Sequence, residues 1–323
     1  MGDRVEAGGT STGQVGPKAA EREIDVTTDE VHIETADRLD PAGIEAVIQL
    51  AEAAAVTDGT APLNEAALLH LRHPRPGVVH LLAWRAGLLF GYAQLHGEPP
   101  GRTGELVVHP DHRGQGVGRI LLAAMIAQGP LRVWAMGDTA AAQALAGGSQ
   151  LVPVRQLLIM KRSLADPIPA PTPPNGVTIR TFAVGKDERE WLAVNARAFA
   201  GHPEQGRIGL EDLTDRMAER WFDPEGFFVA VRDSTMIGFH WTKQHPGRLG
   251  EVYALGVDPE AGGEGLGRAL LSIGLEYLRL RGNTEVELYV EADNEPAVAL
   301  YGGYGFGVAS RDVMYASRRD RPV

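Results

Sequence analysis

Two stretches decide how this chain folds: LVVHPDHRGQGVGRILL, Leu106 to Leu122, and LGVDPEAGGEGLGRALL, Leu255 to Leu271. They overlay without a gap at a constant offset of 149, the distance from Leu106 to Leu255. Gly114, Gly116, Gly118 and Arg119 fall on Gly263, Gly265, Gly267 and Arg268, with leucine, valine and proline matches on either side. In each copy an apolar strand runs into a glycine loop, and a helix follows with apolar residues at helical spacing, Leu266, Ala269, Leu270 and Ile273 in the second. The joint leaves the amides of the first helical turn exposed at the positive end of the helix dipole. That is a site for a phosphate or pyrophosphate, and the glycines keep side chains out of its way. The dinucleotide fingerprint fails, because its third glycine would fall on Arg268 or Leu270, and the Walker lysine is missing.

The run Arg113-Gly114-Gln115-Gly116-Val117-Gly118, preceded by V-V-H-P, resembles the acyl-CoA pyrophosphate loop of the GNAT superfamily of N-acetyltransferases, whose pattern is Q/R-x-x-G-x-G/A. The second copy departs from the pattern: Gly262 stands where Gln or Arg is usual, and Glu264 puts an acid near the phosphate site. The resemblance implies an α/β (α+β) fold of two tandem domains, each a mixed, mostly antiparallel sheet flanked by helices. It implies acetyl-CoA as co-substrate, with one binding place in each copy. Leu106, Val107, Val108 and the first loop would form one. Leu255, Gly256, Val257, Gly262 to Arg268, including Leu266 and Gly267, and the helix start Asn294, Glu295, Pro296, Ala297, Val298 and Ala299 would form the other.

Composition bounds the alternatives. At 323 residues the chain has room for two ordinary domains, and 44% apolar with 23% charged residues is usual for a globular protein. A net charge of −11 with no clustered basic face argues against a nucleic-acid partner and suits a small cationic amine. Without cysteine there is no disulfide, thiolate nucleophile or Cys-ligated metal. His70 with His73 and His109 with His112 lack further ligands at metal spacing and read as surface or loop residues, so no metal is expected. No 18-residue apolar run and no signal core are present, and a cytoplasmic monomer is the default expectation.

In chain order, residues 1 to about 30 read as a disordered tail. Residues 31 to 164 read as a first domain with helices at Pro41 to Ala55 and Asn64 to Leu71. Its strands are Val78 to Arg85, Leu88 to Leu95 and Glu105 to His109; beyond the loop helix come strand Arg132 to Ala135, helix Thr139 to Ala146 and a closing strand, Val152 to Met160. Five prolines in the eleven residues Ala165 to Asn175 make a semi-rigid linker. Residues 176 to 323 repeat the order: strand Val177 to Thr181, helix Asp187 to Ala198, strands Phe227 to Arg232, Met236 to Lys243 and Gly250 to Val257. After the loop helix come strand Glu285 to Glu291, helix Asn294 to Gly302 and a closing strand, Gly307 to Ala316.

The copies differ where chemistry is needed. At the loop's offset Arg102 stands opposite Glu251, and at an offset of 155 Ala146 stands opposite Tyr301. Acetyl transfer to an amine needs the free base, while an α-amine with pKa about 7.7 to 8.0 is mostly protonated at neutral pH. A carboxylate such as Glu251 can take that proton. A phenol on the next helix can serve the departing thiolate, and the family resemblance gives Tyr301 that role and lets the strand amide near Val257 polarise the thioester. The segments AFAGHPEQG (198 to 206), WFDPEG (221 to 226), GFHWTKQHP (238 to 246) and LGEVYALGVDP (249 to 259) resemble the mycothiol synthase family of actinobacteria. That resemblance implies acetyl transfer to the cysteinyl amine of cysteinyl-glucosaminyl-inositol, with Glu65, Glu204, Lys243, Glu251 and Tyr289 as substrate contacts. It makes the second domain catalytic and the first a degenerate copy. An acetyltransferase for another amine and a non-catalytic acyl-CoA-binding regulator are the alternatives.

Overall fold

In both copies the strand-to-helix joint forms because glycine takes the backbone where other residues resist. Gly116 and Gly265, the residues before the two loop helices, sit at φ 88° and 87°. The computed structural model describes residues 30–97, 102–202 and 205–317. All but the last residue of the tail expected over 1 to 30 therefore lies outside the described residues.

The first half runs β1 (His32–Ala36), α1 (Pro41–Asp58), α2 (Glu65–Arg72), β2 (Val79–Arg85), β3 (Leu88–His96), β4 (Thr103–Val108), α3 (Val117–Ala127), β5 (Arg132–Ala135), α4 (Ala140–Gly148) and β6 (Leu151–Ser163). The second runs β7 (Val177–Thr181), α5 (Glu188–Ala198), α6 (Leu210–Ala218), β8 (Phe227–Arg232), β9 (Thr235–Gln244), β10 (Leu249–Val257), α7 (Leu266–Leu280), β11 (Glu285–Glu291), α8 (Glu295–Gly303) and β12 (Gly307–Ser317). Two elements escaped the sequence reading, the short strand β1 and helix α6, although Leu210, Leu213 and Met217 carry helical spacing.

All twelve strands join one mixed sheet in the order β1-β2-β3-β4-β5-β12-β6-β11-β10-β9-β8-β7. Among the described residues only β4 with β5 and β10 with β11 pair in parallel. Helices cover both faces. α3 and α7 pack on one, against clusters around Leu81, Leu121 and Met125 and around Leu270, Leu275 and Val286, while α1, α2, α5 and α6 lie on the other. Along α7, Leu270, Leu271, Leu275 and Leu278 are all 0% exposed; each contributes about 1.5–3 kcal/mol by leaving water.

The closing strands are exchanged. Each was expected to finish its own half, yet β12 pairs with β5 of the first half and β6 with β11 of the second, and the two pair with each other. Local hydrophobic pattern identifies a strand but not its neighbours, which is why the exchange is silent in the sequence. The β6–β12 ladder is symmetric under the offset of 155 that relates Ala146 to Tyr301. Leu157 and Asp312, mates under that offset, face one another at its centre, and the irregularities between Val308 and Ser310 and between Met314 and Tyr315 fall at mated places.

Candidate active site

The sheet register brings four charged side chains to one level on four neighbouring strands. Lys243 on β9 faces Glu251 on β10, Glu251 faces Glu287 on β11, and Glu287 faces Lys161 on β6. Lys161 belongs to the first half, so the exchanged strand completes the row. Glu251 and Glu287 are buried. Their charge is answered locally: His245 Nε2 lies 2.7 Å from Glu251 Oε2 and 3.6 Å from Glu287 Oε1, and Lys161 Nζ lies 2.9 Å from Glu287 Oε2. The ligand atoms of His245, Glu251 and Glu287 lie within 4.8 Å of one another, a trio that could hold a cation and that spacing in the sequence gave no sign of.

A register shift between Val252 and Ala254 puts Tyr253 in a bulge of β10. The gapless overlay cannot see this extra residue. It set Arg102 opposite Glu251, but the strand pairings make Thr103 the counterpart: Thr103 faces His96 and Arg132 as Glu251 faces Lys243 and Glu287. Thr103 Oγ1 lies 2.7 Å from His96 Nε2, and among the described residues this level of the first half carries no carboxylate.

Glu65 comes from the first half. It opens α2, whose start is set by Asn64 capping Ala67 N at 2.8 Å. From there its carboxylate accepts from Lys243 Nζ at 2.5 Å and from the Tyr253 hydroxyl. Arg216 Nε donates to the same hydroxyl at 2.9 Å, and Lys243 Nζ stands 4.6 Å from the Trp221 ring centre. Burial and then the Glu65 charge push the Tyr253 phenol well above its ordinary pKa, so it stays a donor. Tyr289 presents a half-exposed ring from β11, while desolvation at its hydroxyl, then Glu251 and Glu287, raise its pKa. Glu204 lies outside the described residues. Of the sequence candidates, then, Glu65, Lys243, Glu251 and Tyr289 come together. His245, Glu287, Lys161, Tyr253, Arg216 and Trp221 were missed as participants, although Trp221, His245 and Tyr253 sit inside the quoted segments.

Tyr301 is buried on α8, its ring edge-on to Phe306 at 5.8 Å. Burial raises its pKa, which keeps the hydroxyl protonated as a donor. The hydroxyl of nearby Tyr304 lies 2.9 Å from Ser272 Oγ and donates to the Arg268 carbonyl at 3.0 Å.

The loops fit a pyrophosphate. Gly263 and Gly265 have φ of 84° and 87°, no heavy atom within 4 Å of an added Cβ, and the α7 N-terminus has no side-chain cap, which leaves its amides for a ligand. Glu264 is not a bare acid: Arg232 pairs with it and holds its carboxyl below the ordinary carboxylate range. Leu255, Gly256 and Val257 end β10 beside this loop, and Asn294 caps α8 by accepting from Ala297 N at 3.2 Å. In the first half, Leu106, Val107, Val108, Gly114, Gly116 and Gly118 line a cleft of about 440 Å³ that Tyr315 of the exchanged strand also lines. There Gln115 accepts from Arg85 at 3.2 Å, the mate of the Arg232–Glu264 pair. Arg113, expected to serve the phosphate, instead makes two bonds to Asp58, at 2.7 and 2.8 Å, and one to the Val108 carbonyl. Of the four histidines read as surface or loop residues, His73, His109 and His112 lie between the main elements and His70 is the exception. His70 is half-buried on α2 with Nδ1 3.1 Å from Gln94 Oε1, and His112 stacks on Phe90 at 3.6 Å.

Residues 195–306 match the acetyltransferase (GNAT) family and residues 76–145 an acetyltransferase (GNAT) domain. A mycothiol acetyltransferase of Thermomonospora curvata is 54% identical over 294 residues, covering 90% of this chain and 98% of that one. The chain belongs to the mycothiol acetyltransferase family. A second mycothiol acetyltransferase, of Streptomyces coelicolor, is 51% identical over 293 residues, 88% of this chain and 94% of its own. A tandem GNAT protein from the clavulanic acid biosynthesis pathway shares the fold at a TM-score of 0.70 and 20% identity, over 89% of this chain and 98% of that one. Two GNAT domains stand in tandem, and the chain is an N-acetyltransferase of α/β class; enzymes of the GNAT family use acetyl-CoA. Among the described residues no helix is long and apolar enough to cross a membrane.

Proposed function

We propose that the second half moves an acetyl group from acetyl-CoA to the cysteinyl amine of cysteinyl-glucosaminyl-inositol, giving mycothiol. The observation that carries this reading is the paired row around Glu251, supplied by both halves and lacking in the first-half copy. Bound acetyl-CoA supplies the activated thioester. Glu251, aligned by His245, takes a proton from the substrate ammonium, directly or through a water, and frees the lone pair for attack on the carbonyl carbon. The β10 amides near Val257 favour charge on the carbonyl oxygen, and as the carbon–sulfur bond breaks the Tyr301 hydroxyl provides the sulfur with a proton or a hydrogen bond.

Glu65, Lys243, Tyr289 and Glu204 receive the rest of the substrate. Carboxylates suit its ammonium, and groups of both signs suit a hydroxyl-rich pseudodisaccharide. The first half holds a second acetyl-CoA in its cleft without turning it over, since neither Thr103 nor Ala146 can move a proton there. Mass spectrometry of the products formed from acetyl-CoA and the cysteinylated precursor, with the uncysteinylated amine as control, tests the assignment. Acetylation of the control alone, or of neither compound, would overturn it.

A further inference from the structure

The first half buries a polar network beneath α1 and α2. His80 Nδ1 lies 2.6 Å from the Tyr92 hydroxyl; Gln94 Nε2 donates to that hydroxyl at 2.9 Å and to the Ala67 carbonyl at 3.1 Å. Gln94 Oε1 also meets His70 Nδ1 at 3.1 Å, and Glu105 Oε1 accepts from Asn64 Nδ2 at 2.5 Å. His80, Tyr92, Gln94 and Glu105 are all at most 1% exposed.

The second half shows that the fold does not demand this. Ala83 pairs with Gly91 as Ala230 pairs with Gly238, which makes Phe227, Phe239 and Trp241 the mates of His80, Tyr92 and Gln94. Glu105 faces Gln94 as Ala254 faces Trp241, so Ala254 is the mate of Glu105. Those four positions are an apolar cluster, with Phe227 stacked on Trp241 at 4.5 Å. Burying an amide and a carboxylate where the same backbone accepts aromatic rings costs stability.

What the network grips is α2. Glu105 holds the side chain that caps the helix, and Gln94 holds the Ala67 carbonyl and His70 within its first two turns. The next residue after the cap is Glu65, which reaches Lys243 and Tyr253 in the other half. The far end of α2 is tied across as well, by Arg72 to Glu219 and by Arg75 to Glu211 and Asp215. The geometry points to Glu105, Gln94 and Asn64 as positioning residues for the second half's amine site: the former core of the silent copy aims Glu65. This rests on the reading that Glu65 meets the amine substrate.

The test is a set of variants of the full chain, assayed with acetyl-CoA and cysteinyl-glucosaminyl-inositol. Asn64→Ser keeps a helix cap but loses the amide donor that reaches Glu105. It is expected to raise the KM for the amine about tenfold with the KM for acetyl-CoA near wild type, and to lower the unfolding midpoint, because the buried Glu105 carboxylate loses a partner. Glu105→Gln keeps an acceptor for Asn64 and is expected to match wild type. Gln94→Leu, which leaves the cap untouched, is a second route to the same rise. In a Glu65→Gln background neither Asn64→Ser nor Gln94→Leu should add a further effect. An unchanged amine KM in folded Asn64→Ser and Gln94→Leu, or a rise that persists undiminished in the Glu65→Gln background, overturns the proposal. An unchanged amine KM in Glu65→Gln itself overturns the reading of Glu65 beneath it.

Discussion

Lys243 Nζ stands 2.5 Å from the carboxylate of Glu65 across 178 residues of chain, so one side of the candidate amine site is built by the half that lacks the proton-handling groups. With side chains 13% and 28% exposed, this pair is shielded enough for each partner to matter. Glu65→Gln and Lys243→Met are each expected to raise the amine KM about tenfold, and the double variant by less than the product of the two. Steady-state kinetics of the three variants checks this; independent effects would show that the two residues act separately.

The roles given to Glu251 and Tyr301 predict a fall in kcat rather than in binding. Glu251→Gln is expected to lower kcat about 10² to 10⁴-fold and Tyr301→Phe about 10 to 10³-fold, the range of general acid–base catalysis. Tyr304→Phe removes a hydroxyl already bonded to Ser272 and Arg268, and should cost about 1 kcal/mol of stability with little change in kcat. A thiol-release assay and denaturant unfolding separate the two outcomes.

The two loops should differ in consequence. An added Cβ meets nothing closer than 3.5 Å at Gly118 and 3.8 Å at Gly267, so the backbone tolerates a side chain at either place. Gly267→Phe is expected to abolish turnover, whereas Gly118→Phe leaves kcat within about twofold of wild type, because the second loop follows β10, the strand that carries Glu251. Loss of activity in a folded Gly118→Phe would assign turnover to the first half.

Two buried histidines predict acid sensitivity. Burial pushes His240 down to about 4 and His80, helped by His70, down to about 4. The unfolded chain takes up these protons near pH 6.5, before the folded one, so the stability they confer is complete above 6.5 and is lost as pH falls toward 4. Each contributes a slope of about 1.4 kcal/mol per pH unit in that window. His80→Phe, which installs the residue type of its mate Phe227, should flatten the curve by that amount in urea unfolding at pH 7, 6 and 5.

The exchanged strands predict that neither half stands alone. Residues 31–164 lack β12 beside β5, and residues 176–323 lack β6 beside β11, so each sheet ends on an unpaired apolar edge. Either piece by itself should show no cooperative unfolding in calorimetry, and co-expression of the two should restore it.

Much of this was legible in the sequence, because it is local. The glycine loops, the caps at Asn64 and Asn294 and nearly every helix and strand announce themselves within a few residues, and the repeat exposed Glu251 and Tyr301 by difference. What stayed hidden depends on partners far along the chain. No pattern around Val152 to Met160 says which strand lies beside it. The bulge at Tyr253 adds one residue to a run that otherwise overlays without a gap, and so turned Thr103 into Arg102 in the comparison. Arg113 fits the phosphate pattern by position, yet Asp58, 55 residues earlier, had already claimed its guanidinium.

The seam at Leu157 and Asp312 has a further meaning. A ladder that maps onto itself when its strands are swapped is an isologous contact, the kind that joins two identical subunits about a dyad. Carrying both halves on one chain makes assembly independent of concentration and frees each position at the seam from matching its mate. An acid occupies one side of this seam and a leucine the other.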